Sequence, residues 1–224
     1  MSVPEPEIGL RERKRRATRR AIQQAALRIA IEQGLAAVTV DEISRRADVS
    51  PRTFFNYFPS KDEAILGDDP TLPDDGAVDA FVAGAPSGDL IADVGALLAQ
   101  STESVVADRD LLPERQQVLK ENPQLFSQRM ASMKEFQAQL AGVIARRLVR
   151  ERSEDAVTVT ASDSSPAIDP ELERKARLMS LVAMAAVRHA WWEWSLLDDD
   201  DVRLVDVLRS SFDDLGALVS RTLV

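Results

Sequence analysis

The sequence has no cysteine and a single histidine, and these absences exclude much catalytic and metal chemistry. Without cysteine the chain has no disulfide, no thiolate metal ligand and no cysteine nucleophile. A single histidine also excludes any site within one chain that needs paired imidazoles. No apolar run approaches the roughly 18 residues that a membrane span needs, and the N-terminus lacks the apolar stretch of a signal peptide. We therefore expect a cytoplasmic protein with no metal, no cofactor and no membrane partner.

Strand signals are also scarce, whereas helix signals are strong. The sequence shows no sustained alternation of apolar and polar residues, but apolar residues such as Ile22 and Ile29 recur at helical spacing, and Gly34 follows as a C-terminal cap. Capping boxes and Ser-Pro, Asn-Pro or Asp-Pro pairs predict helix starts near residues 40, 51, 61, 123 and 170. The expected fold is all-α, with about nine helices.

Acidic charge dominates the chain as a whole, but not its beginning. The net charge is −9, yet residues 1–66 hold 12 Lys and Arg against 9 Asp and Glu, and eight basic residues lie between Arg11 and Arg28. The rest of the chain is strongly acidic. This asymmetry indicates a small region that faces a polyanion on an acidic body.

The basic region is followed by the spacing of a helix-turn-helix. Residues 39–66 read TVDEISRRADVSPRTFFNYFPSKDEAIL, which predicts a short capped helix, a four-residue turn at residues 47–50, a second short helix and a third capped start. In the second helix we expect Phe54 and Phe58 to point inward, and Thr53, Asn56 and Tyr57 to point outward.

Residues 18–66 resemble the DNA-binding domain of the TetR family of bacterial transcriptional regulators. The resemblance rests on T18-R19-x-x-I22, A25-A26, G34, T39-V40, I43, A47, V49-S50, T53-F54-F55, Y57-F58 and K61. Asp48 stands where the family usually has Gly, and Asp tolerates a left-handed backbone. The run that begins at Arg188 and the wording RTFFNYFPSKDEA are similar to an actinobacterial branch that includes mycofactocin-associated regulators.

The resemblance implies a DNA-binding domain over residues 1–62 and a larger helical ligand-binding and dimerisation domain over residues 63–224. Arg52 is the expected base reader, because a guanidinium bonds guanine O6 and N7 together. Phe55 replaces a Tyr that is frequent in the family, so it lacks that hydroxyl contact. The full set of expected DNA-binding residues is Arg15, Arg16, Thr18, Arg19, Thr39, Ser50, Pro51, Arg52, Thr53, Phe55, Asn56, Tyr57 and Lys61.

The predicted helix 170–197 has two apolar faces, which is more than the surface of a monomer needs. We assign one face, together with the last helix, to a two-fold dimer contact, through Ala183, Ala186, Ala190, Phe212, Leu215 and Val219. We assign the other face to a ligand pocket, through Phe126, Met130, Met133, His189 and Trp192. Periodicity alone leaves open which face has which role.

The expected function is sequence-specific transcriptional regulation by a homodimer on palindromic double-stranded DNA. A repressor of this kind leaves its operator when a small, largely apolar effector binds. Two alternatives stay open at this point. One is an architectural DNA-binding protein that needs no ligand. The other is an enzyme that uses the C-terminal helical domain, for which a carboxylate pair such as Glu193 and Asp198 is a candidate.

Overall fold

A computed structural model describes residues 9–102, 110–156, 169–197 and 202–222 of the chain. Over these residues the fold is all-α, as predicted, with ten α-helices where about nine were expected. None of these helices is long and apolar enough to cross a membrane. The elements are α1 Leu10–Gln33, a 3₁₀ helix Leu35–Ala37, α2 Val40–Arg46, α3 Pro51–Phe55, α4 Lys61–Leu66, α5 Asp75–Val82, α6 Leu90–Thr102, α7 Leu112–Glu121, α8 Pro123–Ala156, α9 Pro170–Leu196 and α10 Leu204–Thr222.

The five predicted helix starts are all confirmed, because each depends on a local hydrogen bond or on proline. The side chain of Thr39 accepts from the backbone N–H of Glu42 at 3.2 Å, and Ser60 accepts from that of Glu63 at 3.1 Å. Proline occupies the first position of α3, α8 and α9, where its missing N–H costs nothing.

Chain contacts divide the protein into two compact units, which are described separately. Unit 1 comprises Met1–Asp69 and Ala107–Met130, and unit 2 comprises Pro70–Val106 and Ala131–Val224. By compactness, residues 63–69 and 107–130 therefore group with the N-terminal segment. The functional boundary at residue 62 stays a prediction.

Unit 1 is built around the second half of α1, against which the short helices pack. The predicted core residues of α1 are buried, and so are the inward residues of the helix-turn-helix. The largest buried side chains of this core are Ile22, Leu27, Ile29, Ile43, Phe54, Phe58, Ile65, Leu111 and Leu125. Helix α7, which sequence analysis missed, contributes Val118 to the same core.

Unit 2 has its own core, in which α10 packs between α6 and α9. Two of its helices approach closely at Gly95 of α6, since a Cβ at that position would lie only 2.6 Å from Cγ of Phe212. The buried side chains include Val94, Leu97, Phe136, Leu140, Ile144, Ala183, Ala190, Leu208 and Phe212.

A fully buried ion pair joins three elements of unit 2. Arg147 of α8 donates to Asp93 of α6 at 2.7 Å, and both side chains have no exposed surface. Asp93 also accepts from the backbone N–H and the hydroxyl of Ser87 at 2.8 and 2.7 Å, and Arg147 donates to the carbonyl of Phe81 at 3.2 Å. Glu151, one turn further along α8, accepts from Arg147 as well. The pair thus fixes the α5–α6 turn against α8.

Burial alone would raise the pKa of Asp93, but hydrogen bonds from Ser87 and Arg147 outweigh it and hold that pKa below its ordinary value. A carboxyl group whose pKa is lowered by folding stabilises the fold above its unfolded-state pKa and loses this effect in acid. The pair is therefore expected to stabilise unit 2 at neutral pH.

We predict that Asp93→Ala lowers the free energy of unfolding by about 3 kcal/mol, the lower end for breaking a buried pair, because Glu151 still contacts Arg147. The matched control is Asp79→Ala, whose partner Arg146 is exposed, with an expected loss of at most about 1 kcal/mol. Urea unfolding at several pH values measures both. The gap between wild type and Asp93→Ala should narrow below about pH 4. Equal losses for the two variants would contradict this assignment.

Candidate nucleic-acid interface

Helix α2, the turn at residues 47–50 and α3 form the predicted helix-turn-helix. Asp48 in the turn has φ +53°, the left-handed conformation that was expected of it. The side chain of Ser50 accepts from the backbone N–H of Thr53 at 3.0 Å, which caps the start of α3. Helix α3 ends at Phe55, two residues earlier than predicted, and Asn56 is its C-terminal cap.

The two faces of α3 differ sharply in character. Phe54 and Phe58 are buried, with ring centroids 6.1 Å apart, and they attach this side to the core of unit 1. Arg52 and Asn56 are exposed on the other side, and 57% of Phe55 is accessible. The ring of Phe55 meets that of Phe54 edge-to-face at 5.4 Å, so an exposed aromatic group is held in a defined place.

The first turns of α1 add positive charge beside this outward face. A groove of about 620 Å³ separates the start of α1 from the α3 region, and its lining residues are Gly9, Arg11, Glu12, Arg15, Thr53, Asn56 and Tyr57. Glu12 pairs with Arg16 at 3.2 Å. Neither Arg11 nor Arg15 has an ion pair with any residue that the structure describes, so both guanidinium groups are available to an anion.

The basic residues of α2, in contrast, are neutralised within unit 1. Arg45 and Arg46 both donate to Glu42, and Arg46 also donates to Glu32 at 2.7 Å. The hydrogen bond from Arg45 comes first among the causes that lower the pKa of Glu42 to about 2. The available positive charge therefore lies on α1 and α3 and not on α2.

The thirteen predicted DNA-binding residues fall into two groups by exposure. The exposed group comprises Arg15, Arg16, Thr39, Ser50, Pro51, Arg52, Phe55 and Asn56, and the half-buried group comprises Thr18, Arg19, Thr53, Tyr57 and Lys61. Several half-buried residues have partners within unit 1. Lys61 donates to the carbonyl of Val38 at 2.8 Å, Thr18 donates to that of Lys14 at 3.0 Å, and Arg19 donates to that of Tyr57 at 3.2 Å.

The structure reverses the predicted roles of the two faces of α9. Most residues assigned to the dimer contact lie in the core of unit 2, since α9 packs with this face on α6 and α10. Ala183, Ala186, Ala190 and Phe212 expose at most 9% of their surface. Of that set, Leu215 is half-buried and only Val219 is exposed.

The residues assigned to a ligand pocket lie mainly on the surface. Phe126 and Met130 of unit 1 are 48% and 44% exposed, and Trp192 of unit 2 is 60% exposed. Met133 is half-buried, and His189 is exposed beside Ser211, with 3.1 Å between Nδ1 and Oγ. Side chains this open do not enclose a ligand. Among the described residues, no three His, Asp or Glu side chains are grouped as metal ligands.

The outer faces of α9 and α10 carry the exposed apolar surface that the reversal leaves. They border an open groove of about 610 Å³ lined by residues such as Val182, Ala185, His189 and Leu218. The large exposed side chains on these two helices are Leu178, Leu181, Trp192, Leu196, Leu218 and Val219. Periodicity had identified this face of α9 but not its exposure.

Comparisons with known proteins agree with this geometry. Residues 22–65 match the family described as bacterial regulatory proteins, tetR family. The chain is 29% identical over 220 residues to the HTH-type transcriptional regulator TcmR of Streptomyces glaucescens, with 92% of this chain and 86% of that protein covered. It is 39% identical over 61 residues to the HTH-type transcriptional regulator BetI of Rhizobium meliloti (strain 1021), with 27% of this chain and 28% of that protein covered.

A solved structure with a similar course is that of the TetR family transcriptional regulator PfmR from Thermus thermophilus. The TM-score is 0.42 at 16% identity, with 86% of this chain and 94% of that chain covered. The similarity to the actinobacterial branch stays a prediction. From the match over the helix-turn-helix and the similarity to TcmR along most of the chain, the protein belongs to the TetR family, whose members are DNA-binding transcriptional regulators and not enzymes.

Proposed function

We propose that the protein is a homodimeric repressor that binds a palindromic operator and is released by a small, largely apolar effector. The observation that carries the DNA-binding part is the outward face of α3, which presents Arg52 and Phe55 beside the unpaired arginines of α1. A regulator of bacterial genes acts on the chromosome, which supports the expected location in the cytoplasm.

Within this proposal, α3 enters the major groove by its N-terminal end. Arg52 bonds the O6 and N7 atoms of a guanine, and Phe55 contacts the apolar edge of a base, such as a thymine methyl group. Thr53 lies between them, with its hydroxyl 2.8 Å from that of Ser50. These side chains carry sequence information because they meet base edges.

Phosphate contacts position the helix on the duplex. Arg15 and Arg16 lie beside the DNA backbone or enter the minor groove, and Arg11 joins them because it lines the same groove as Arg15. Lys61 still has free N–H groups after donating to Val38. The remaining proposed phosphate contacts, made through hydroxyl and amide groups or by close approach, are Thr18, Thr39, Ser50, Pro51, Asn56 and Tyr57.

A single helix-turn-helix reads only a half-site, so a palindromic operator needs a two-fold dimer. The exposed apolar face of α9 and α10 is the surface we assign to the second copy, since large apolar patches mark interaction sites. Leu178, Leu181 and Leu218 are 62%, 52% and 66% exposed there. A two-fold contact is self-complementary, which suits one face repeated in both partners.

The effector part of the proposal rests on membership of the family. An effector that binds unit 2 shifts the dimer between two geometries, and only one of them sets the recognition helices about 34–36 Å apart. Coupling of this kind is reciprocal, so DNA should weaken effector binding by the same factor. An architectural DNA-binding protein would show no such coupling and no base preference.

We predict that Arg52→Ala weakens binding to the operator by about 1–3 kcal/mol and relaxes the preference at one base pair of each half-site. The probe is a duplex that the wild-type protein selects from a random library, together with its single-base variants, in a binding titration. Arg28→Ala is the control, because it removes one charge near the opposite end of α1. A loss that is uniform over all base variants would make Arg52 a phosphate contact.

We also predict that Arg11→Gln with Arg15→Gln lowers the salt dependence of binding to any duplex. Each lost phosphate contact reduces the slope of log affinity against log salt by about 0.9. Titrations at four salt concentrations measure the slope. Arg146→Gln with Arg150→Gln makes the same charge change in unit 2 and should leave the slope unchanged. If the α1 variant keeps the wild-type slope, these arginines stay in solvent when DNA is bound.

For the dimer, we predict that Leu181→Glu gives a folded monomer, because each two-fold contact would then bury two unpaired carboxylates. Sedimentation velocity and circular dichroism measure assembly and folding together. Phe126→Glu, at an exposed apolar position of unit 1, should remain a dimer. Phe212→Glu should instead unfold unit 2, because that ring is buried. A folded Leu181→Glu dimer would place the contact elsewhere.

A further inference from the structure

Arg19 of α1 is engaged by three groups of unit 1, which sets it apart from the free arginines earlier in that helix. Its Nη1 donates to the carbonyl of Tyr57 at 3.2 Å, and its Nη2 forms an ion pair with the carboxylate of Asp68. The guanidinium carbon lies 4.2 Å from the centroid of the Phe58 ring. The side chain is only 27% exposed. Little of the cation is left to meet a phosphate.

The carbonyl that Arg19 binds lies just beyond the end of the recognition helix. Helix α3 ends at Phe55, and carbonyl groups at a C-terminal end lack partners in the helix. The guanidinium supplies a donor at that point, while the Phe58 ring beneath it is anchored in the core. Arg19 therefore ties the end of α3 to α1.

Asp68, the acidic partner of Arg19, lies in a segment that is itself held in place. Arg129 of α8 donates to the backbone carbonyls of Asp68 and Leu66 at 3.0 and 3.1 Å, and it lies 3.7 Å from the Asp69 carboxylate. These contacts are all within unit 1. They fix the backbone of residues 66–69, and so present the Asp68 carboxylate to Arg19 from a defined position.

We propose that Arg19 and Asp68 form a positioning pair for DNA recognition. Asp68 orients the guanidinium, and the guanidinium holds the C-terminal end of α3 so that its outward residues meet base edges. Neither residue touches DNA. The inference rests on the proposed function, and it replaces the phosphate contact that the sequence suggested for Arg19.

The two roles of Arg19 give opposite expectations for the loss of its acidic partner. If Arg19 binds a phosphate, Asp68 competes with DNA for the guanidinium, and Asp68→Asn strengthens binding to every duplex. If the pair positions α3, Asp68→Asn weakens binding to the selected operator, although a negative charge has been removed from a DNA-binding unit. The sign of the change therefore distinguishes them.

The experiment compares Asp68→Asn with Asp69→Asn on two probes, the operator duplex selected by wild type and a random duplex of equal length. Asp69 is a matched control, since it carries the same charge one residue away and its ion pair is with Arg129. We expect Asp68→Asn to lose about five- to tenfold in affinity for the operator and nothing for the random duplex. Asp69→Asn should lose nothing on either probe. Equal or tighter operator binding by Asp68→Asn overturns the proposal.

Arg19→Ala supplies a second and independent readout. Positioning predicts a loss of operator affinity with an unchanged salt slope on the random duplex, whereas a phosphate contact lowers that slope by about 0.9. The double variant with Asp68→Asn should lose no more than Arg19→Ala alone. Circular dichroism confirms folding, and if Arg19→Ala does not fold, the sign test with Asp68→Asn decides. A wild type that selects no sequence contradicts the proposed function itself.

Discussion

The recognition helix is too short to hold its own shape, and the DNA-binding unit is organised around that constraint. Helix α3 has five residues, far fewer than an isolated helix needs in water. Its orientation is set by Phe54 and Phe58, which are buried against the core of unit 1, and by the cap at Ser50. Burial of one such ring stabilises the packed position by about 1.5–3 kcal/mol. Because these two rings face inward, the remaining residues of α3 are left for DNA.

Charge is divided in the same unit between structure and binding. The arginines of α2 are neutralised by Glu42 and Glu32, whereas Arg11, Arg15 and Arg52 have no ion pair within the described part of the chain. An acidic protein can therefore present a local cationic surface, because its acidic residues lie mostly in unit 2 or in pairs. The net charge of −9 alone would have pointed away from a nucleic acid.

The features that sequence analysis predicted correctly depend on local signals. Helix starts follow from caps and prolines, the left-handed turn from Asp48, and the inward pair from the spacing of Phe54 and Phe58. The roles of the two faces of α9 were not predictable, because periodicity shows two apolar faces but not which one meets α6 and α10. Helix α7 was missed because its start has no side-chain cap and its sequence is polar. Arg147 had a signal that was overlooked: it lies three residues after the buried Ile144, at a core position of α8.

The central claim is that two copies of α3 occupy successive major grooves on one face of the operator. Dimethyl sulfate protection on the selected duplex tests it most directly, because the reagent methylates guanine N7 in the major groove. The account predicts two protected patches about one helical turn apart, related by two-fold symmetry, and loss of protection at one guanine per half-site in Arg52→Ala. A single protected patch, or guanines that stay fully reactive under saturating protein, would contradict it.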